Sequence, residues 1–136
     1  DEALPVVFRS SRVNLGFSDT GWHKTDEVVS SRNLQCRLRD FEVPMSGGFY
    51  LVQKAPDHDQ YYKIGEEIET WSEPDELIDK LQYFSTHSRA GERIREAGMK
   101  RALTSHTWRH RFDSLMKRVK DVRLQFWQGG GVLRAS

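Results

Sequence analysis

The chain has a single cysteine, Cys36, and no apolar run approaching the roughly 20 residues of a membrane-spanning helix. One cysteine excludes an intrachain disulfide and a zinc site built from several cysteines, so we expect a reducing compartment. The amino end opens with Asp1 and Glu2, and it lacks the basic and apolar regions of a signal peptide. These absences predict a cytoplasmic protein with no membrane span.

An excess of positive charge is also missing. The 136 residues hold 21 Lys and Arg against 20 Asp and Glu, which gives a net charge of +1. Because binding to a phosphate backbone depends on a clear basic excess, nucleic acid is not the expected partner. The length suits one domain with a real core and is too short for two substantial ones.

The stretch from Arg39 to Val52 organises the rest of the sequence. A charged amphipathic segment runs through Pro44 and a double glycine into an uninterrupted apolar run. The segment predicts a helix that ends near Pro44, and the apolar run predicts a buried strand. The buried stripe of this helix is predicted from spacings of four, three and four at Leu34, Leu38, Phe41 and Met45.

Alternating and apolar segments predict strands over residues 13–17, 49–53 and 67–71, with helices before, between and after them. We predict an α/β fold, a Rossmann-like three-layer sandwich with a small parallel sheet of about three strands and several carboxyl-terminal helices. A sheet this narrow indicates part of a larger domain. We assign residues 1–125 to the folded domain and 126–136 to a flexible tail.

Two of the later helices carry specific predictions. Ser72 and Asp75 have the spacing of a capping box at the start of one helix. Thr107 is a suitable N-cap for the last helix. That helix is predicted to bury Trp108, Phe112, Leu115, Met116 and Val119.

Arg39 and Glu42 fall together on one flank of the predicted central helix. A carboxylate can accept two hydroxyl protons from a vicinal diol, and the planar guanidinium of arginine matches phosphate geometry. A solvated ion pair three residues apart on a helix has the same spacing. Spacing alone favours the ion pair.

Three further residues are candidates for ligand binding. Gly47 and Gly48 can bring the backbone close to a pyrophosphate or a sugar, although a left-handed helix end explains at least one of them. Ser18 begins a polar stretch that leaves the carboxyl end of the first strand, where open α/β sheets bind ligands. Within that stretch His23, Lys24 and Asp26 either line a cleft or are solvated.

No metal site is predicted. His106 and His110 stand four apart, but there is no glutamate in the position of a metalloprotease base and no obvious third ligand. The basic cluster of Lys117, Arg118, Lys120 and Arg123 is explained by complementarity to the carboxyl end of the last helix.

Taken in order, several of these motifs resemble a known family. The sequence is similar to the carboxyl-terminal half of the spore-maturation-protein-like, family-1-type glycosyltransferases, which have two Rossmann domains in the architecture called GT-B. The resemblance runs from about Pro5 to Val122 and is carried by Arg39, Phe41, Glu42, Gly47-Gly48, Gly65-Glu66-Glu67-Ile68, Pro74-Asp75-Glu76-Leu77 and His106-Thr107-Trp108-x-His110-Arg111.

The resemblance implies a domain that binds a nucleotide-diphosphate sugar as donor substrate, with no other cofactor. Glu42 would hold the ribose and Arg39 the phosphates, while the catalytic residues stay unassigned. Many retaining relatives carry an acid eight positions before the ribose glutamate, where this sequence has Leu34. The acceptor-binding domain of such enzymes is not among these residues, so we expect the isolated chain to be inactive.

A second hypothesis comes from a different class of protein. The chain would be a non-catalytic Rossmann-like interaction module that dimerises, or docks onto missing polypeptide, through an unpaired edge of its short sheet.

Overall fold

The computed structural model describes residues 3–19, 24–25, 28–29 and 33–128. Its helices and strands are, in chain order, α1 (Ala3–Ser10), β1 (Asn14–Gly16), β2 (Lys24–Thr25), β3 (Val28–Val29), α2 (Arg39–Met45), β4 (Tyr50–Gln53), α3 (His58–Tyr61), β5 (Glu69–Trp71), α4 (Pro74–Thr86), α5 (Ser88–Ser105) and α6 (Trp108–Gln128).

A parallel sheet of three strands, in the order β1-β4-β5, forms the centre of the domain. Leu51 of the middle strand pairs with Leu15 on one side and Glu69 on the other. All four residues of β4 are buried, as expected for a parallel strand covered on both faces. The predicted α/β class and small parallel sheet are confirmed, and the arrangement is consistent with a partial Rossmann-like domain.

Alternate residues of β4 build two cores. Tyr50 and Val52 pack with α1 and α2 on one face of the sheet, and Leu51 packs with Trp71 and α4 on the other. Helix α5 contributes to both cores, through Ile94 near its start and Ala102 near its end. Gly98 lies between them, and a Cβ there would collide with the backbone carbonyl oxygen of Glu67.

The polar stretch after β1 is closed at its base. Asp19 forms an isolated antiparallel bridge with Leu34, and Gln35 donates its N–H to the carbonyl of Ser18 at 3.0 Å. Between these ends β2 and β3 pair antiparallel. His23 and Asp26 lie outside the described residues.

Helix α2 differs from its prediction in length and in the face it buries. It begins at Arg39, and its buried residues are Asp40, Val43 and Pro44. The predicted buried stripe was Leu34, Leu38, Phe41 and Met45. Leu38 is mostly exposed, while Phe41 and Met45 pack only against the margin of the core. The helix therefore turns a different face to the core than the one predicted. It does so because the hydrogen-bond partners of the Asp40 carboxylate lie inside the domain.

The predicted capping box of α4 is wrong. Glu73 is the N-cap and makes no side-chain cap hydrogen bond. Instead, the carboxylate of Glu76 accepts the backbone N–H of Ser72 at 2.8 Å. Pro74 starts the helix one residue later than a Ser72 cap requires, so Glu76 is the acid that reaches back.

Helix α6 is the clearest departure from prediction. It follows Thr107 as expected, but the five apolar side chains predicted to be buried are all at least half exposed: Trp108, Phe112, Leu115, Met116 and Val119. The helix also continues to Gln128, three residues into the predicted tail, and residues 129–136 lie outside the described part. No described helix is long and apolar enough to cross a bilayer.

Candidate functional site

A buried polar cluster joins the start of α2 to β4 and α3. The carboxylate of Asp40 accepts hydrogen bonds from the backbone N–H of Arg37 at 2.8 Å and from the Tyr50 hydroxyl at 2.9 Å. Its Oδ2 also lies 2.9 Å from Nε2 of His58. Asp40 and His58 are both buried. The three hydrogen bonds to the Asp40 carboxylate therefore take the place of the water molecules that an exposed carboxylate would bind.

The hydrogen bonds define which nitrogen of His58 carries the proton. Nδ1 accepts the backbone N–H of Ala55 at 3.1 Å, so the proton of a neutral ring is on Nε2 and points to Asp40. The ligand atoms of Cys36, Asp40 and His58 lie within 4.8 Å of one another. Because neither ring nitrogen keeps a free lone pair in this arrangement, the cluster fits a structural role better than a metal centre.

The electrostatics of the cluster place its negative charge on Asp40. Burial raises the pKa of this carboxyl, but hydrogen bonds from His58, Arg37, Cys36 and Tyr50 outweigh burial and hold the pKa below its ordinary value. Burial and the adjacent carboxylate raise the pKa of the Cys36 thiol and of the Tyr50 hydroxyl. Cys36 is therefore a neutral thiol at pH 7 and not an activated nucleophile.

A glycine makes room for this network. A Cβ at Gly16 would collide with the hydroxyl of Tyr50, the same hydroxyl that reaches Asp40. The result is that β1, β4 and α3 together fix the residues that precede α2, including Arg37.

A cleft of about 470 Å³ runs along the outer flank of α2, and we call it the α2 cleft. Its wall comes from the segment before α2, from α2 itself, from α3 and from the start of α6. The lining residues are Cys36, Arg37, Leu38, Phe41, Glu42, Met45, Asp57, Tyr61, His106, Trp108 and Arg111.

Arg111 is held in place at this cleft by aromatic rings. Its guanidinium lies 4.7 Å from the centre of the Phe41 ring and 5.0 Å from that of Tyr61. Such stacking leaves the edge of the guanidinium free to donate hydrogen bonds. Arg37, whose guanidinium bonds to the carbonyl of Asp19, is a second cation in the wall.

The structure brings the predicted pair Arg39 and Glu42 together. Nε of Arg39 lies 3.8 Å from a carboxylate oxygen of Glu42, and both side chains are about half exposed. Glu42 lines the α2 cleft, whereas Arg39 lines a neighbouring cleft of about 400 Å³ between α2 and β1. Arg37 borders both clefts.

Gly47 and Gly48 lie away from this pair, where α2 leads into the amino end of β4. Gly47 has a φ of +75°, the left-handed conformation of a helix end. A Cβ at Gly48 would come within 2.8 Å of Val43 and of the Asn14 side chain. Both glycines thus have structural reasons, and their role in ligand binding stays a prediction.

Ser18 lies at the opposite, carboxyl edge of the sheet. Its hydroxyl is buried and donates to the carbonyl of Gln53 at 2.6 Å, while its N–H donates to the Gln53 side chain at 3.2 Å. These bonds tie β1 to β4. A contact between Ser18 and a ligand stays a prediction, and the structure does not bring Ser18 to Glu42.

The two histidines of the last motif have separate partners. Nε2 of His106 donates to the carbonyl of Tyr61 at 2.8 Å, and Nδ1 of His110 lies 2.7 Å from the hydroxyl of Thr107. Burial, together with the charges of Arg101 and Arg111, lowers the pKa of His106. His106 is therefore a neutral part of the cleft wall at pH 7.

Sequence reasoning assigned no role to Asp40, His58, Arg37 or Arg111. Asp40 shares a helical face with Val43 and Pro44, and that spacing was the available signal for a buried carboxylate. Nothing in the sequence pairs it with His58, 18 positions away. Arg111 belongs to a motif noted above, but its stacking depends on tertiary contacts.

Comparison with known protein families gives a match over most of the chain. The sequence profile of a family described as glycosyl transferase-like matches residues 1–117. Searches of curated proteins and of solved structures returned no significant match.

Proposed function

This chain belongs to the glycosyl transferase-like family, and we propose that its part in glycosyl transfer is to bind a nucleotide-diphosphate sugar donor. Family membership supports glycosyl transfer in general. The donor class rests on the chemistry of the α2 cleft, and the observation that carries it is a half-exposed carboxylate, Glu42, in a cleft that also holds Arg37 and Arg111.

Glu42 is the proposed ribose ligand. Among the described residues, the polar contact recorded for its carboxylate is a long, solvent-exposed one with Arg39, at 3.8 Å. An exposed pair of this kind is worth about 0.5 kcal/mol, so a ligand can displace it at little cost. A carboxylate offers the two acceptors that a vicinal diol requires.

The arginines around Glu42 are the proposed diphosphate ligands. Arg39 was predicted for this role, and we extend it to Arg37 and Arg111 because both line the α2 cleft. Stacking on Phe41 and Tyr61 preorganises Arg111, which reduces the entropy lost when a phosphate binds. The exposed ring of Trp108 in the same wall offers a surface on which a nucleobase can stack.

In the proposed reaction the bond between the anomeric carbon and the diphosphate oxygen breaks. The electron pair leaves with the diphosphate, and the acceptor oxygen forms the new bond to the anomeric carbon and loses its proton. Cationic groups at the diphosphate stabilise the charge that develops on the leaving group. The residues that bind the acceptor and move its proton are not assigned.

The test is a thermal-shift titration of the chain with UDP, GDP and their sugar conjugates. A nucleotide present at ten times its Kd should stabilise the fold by about 1.4 kcal/mol, which is roughly 5 °C in Tm for a domain of this size. Glu42→Ala should abolish the shift without lowering the Tm of the free chain.

Glu66→Ala is the matched control. Glu66 forms an exposed pair with Lys63 that has the same i,i+3 spacing and the same 3.8 Å distance, but it lies outside the α2 cleft. The proposal fails if no nucleotide changes the Tm, or if Glu66→Ala removes the response and Glu42→Ala does not.

The alternative, an interaction module, is favoured by the exposed edge of β1. This strand has one neighbour among the described strands, and Leu15 and Phe17 beside it are 44% and 56% exposed. A parallel edge strand with apolar neighbours is a surface for pairing. Analytical ultracentrifugation that shows a dimer, dissociated by Leu15→Lys, would favour this alternative.

A further inference from the structure

From Phe112 to Arg123, helix α6 has a surface that lies outside the α2 cleft and that the proposed donor site does not use. From Arg111 to Arg123 every described side chain of this helix is exposed. Phe112, Leu115 and Val122 are 58%, 53% and 65% exposed. In water an isolated helix gains little from its own propensity, and amphipathic helices depend on a surface that covers their apolar face.

The apolar side chains of α6 from Phe112 to Val122 lie in one arc of the helix surface, and Arg123 at its carboxyl end is the one charged residue of 112–123 within that arc. At about 100° per residue, they span about 120° of the helix surface. A strict coiled-coil seam is narrower than this, so the arc fits a flat surface better than a single partner helix. Its members are Phe112, Leu115, Met116, Val119 and Val122.

The charges of α6 are arranged around this arc. Arg118 borders it on one side and Lys120 borders it on the other, and Arg123 lies within the arc at the carboxyl end of these residues. The two acids, Asp113 and Asp121, lie beyond these rims on the far side of the helix. Residues 108–123 carry six Lys and Arg against two Asp, a net charge of +4 with His110 neutral.

This arrangement decides between possible occupants. In a second copy of α6, parallel or antiparallel, basic side chains would face basic side chains along both rims, so like charges disfavour self-association. The surface that complements α6 is apolar in its depth and anionic at its boundary. A bilayer with anionic headgroups has that profile, since arginine and lysine stems can lie along the acyl boundary while their charges reach the headgroups.

We propose that α6 is an interfacial helix that docks this chain onto anionic lipid bilayers, with the apolar arc in the headgroup boundary and the basic side chains of both rims on lipid phosphates. The helix lies in the surface and does not cross it. This inference is independent of the donor site, and its test requires no nucleotide.

The experiment is co-sedimentation of the full chain with vesicles. One set contains phosphatidylcholine alone, and the other contains equal parts of phosphatidylcholine and phosphatidylglycerol. We expect at least tenfold more protein on the anionic vesicles, and we expect about 0.5 M NaCl to reverse most of that binding because salt screens the headgroup charge.

Two matched pairs of variants separate the arc and the rims from general charge. Val119→Asp lies in the arc and Ser114→Asp lies on the far side, with the same change of charge. We expect the first to lower binding about tenfold or more and the second to have little effect. Arg118→Glu on a rim should lower binding about fivefold or more, and Lys117→Glu on the far side should lower it less.

Circular dichroism of each variant confirms that the helix is retained, and the rim pair keeps the test decisive if Val119→Asp unfolds α6. Equal losses for Arg118→Glu and Lys117→Glu would overturn the proposal, since bulk charge would then explain binding. Absence of binding to anionic vesicles would also overturn it. So would a dimer that Val119→Asp dissociates, or selective binding to a Glu-flanked amphipathic peptide, because a protein would then cover the arc.

Discussion

The buried polar cluster of Asp40, His58 and Tyr50 and the exposed helix α6 both reverse the usual pattern, in which polar side chains are exposed and apolar side chains are buried. In the cluster a carboxylate and an imidazole are buried, and each is hydrogen-bonded. In α6 a tryptophan, a phenylalanine and several aliphatic side chains are exposed. The difference teaches that an apolar stripe indicates a helix in α6 without fixing its burial, since what covers the stripe depends on the rest of the fold.

The energies of the two regions should differ in the same sense. Removing a partner from the buried cluster leaves polar groups unpaired, which is expensive. Shortening an exposed apolar side chain removes little that is buried in the folded chain, so it should change stability very little. The variants below test that contrast, from the largest expected effect to the smallest.

The same substitution in the two regions is the strongest test. Leu51→Ala, in the buried middle strand, should lower the free energy of unfolding by about 3 kcal/mol. Leu115→Ala, in α6, should lower it by less than about 0.5 kcal/mol. Urea denaturation measures both, and similar values for the two would show that the arc of α6 is buried in solution.

Within the cluster, Asp40→Asn should lower the free energy of unfolding by about 2–3 kcal/mol. Donors from Arg37, Tyr50, His58 and Cys36 surround this side chain, and an amide places its own NH2 against one of them. Asp59→Asn, at an exposed pair with Lys54, is the control and should stay within about 0.5 kcal/mol. Equal stability of Asp40→Asn and the parent chain would rule out the network described.

Helix α5 has one closely packed glycine, Gly98, and one with more space around it, Gly91, and the two can be compared. Gly98→Ala forces a methyl group against the backbone of Glu67 and should cost about 2 kcal/mol. Gly91→Ala meets only ordinary contacts at 3.9 Å, so its better helix propensity should stabilise the chain by up to about 1 kcal/mol. If thermal denaturation shows that both variants have a higher Tm than the parent chain, or that both have a lower one, the close packing of α5 against Glu67 described above is wrong.

Lowering the pH should narrow the difference in the free energy of unfolding between the parent chain and Asp40→Asn. The pKa of Asp40 is held below its ordinary value of 3.8 in the folded state. Its contribution to stability is therefore present above that value and is lost as the pH falls through the folded pKa. Urea midpoints between pH 7 and pH 2 measure this. A gap between the two chains that widens below pH 4 would show the opposite sign.

The sequence predicted the fold well where local pattern and tertiary burial agree. The apolar run of β4 is buried on both sides, and the order of strands and helices follows from it. The buried face of α2 was mispredicted because Asp40 finds His58 and Tyr50 only in three dimensions. The exposed face of α6 was mispredicted for the converse reason, since its stripe has no partner in the described part of the chain.

The candidate site was predicted only in part. The pairing of Arg39 with Glu42 follows from helical spacing, and the structure confirms it. The α2 cleft around Glu42 was not predictable, because Arg111 reaches it from a distant helix and is oriented by Phe41 and Tyr61. In the sequence Gly47 and Gly48 were candidates for ligand binding. In the structure the left-handed turn at Gly47 and the close contacts around Gly48 already account for both glycines at the entry into β4.

The central claim, that the α2 cleft binds the nucleotide diphosphate of a sugar donor, is tested most directly by two-dimensional amide NMR of the chain during titration with UDP and with GDP. We predict saturable shifts at Arg37, Glu42, Tyr61 and Arg111 with at least one nucleotide, and their loss in Glu42→Ala. A different cleft of about 530 Å³, lined by Glu69 and Arg93 among others, serves as the internal control. Shifts confined to that cleft, or no shifts with either nucleotide, would contradict the assignment.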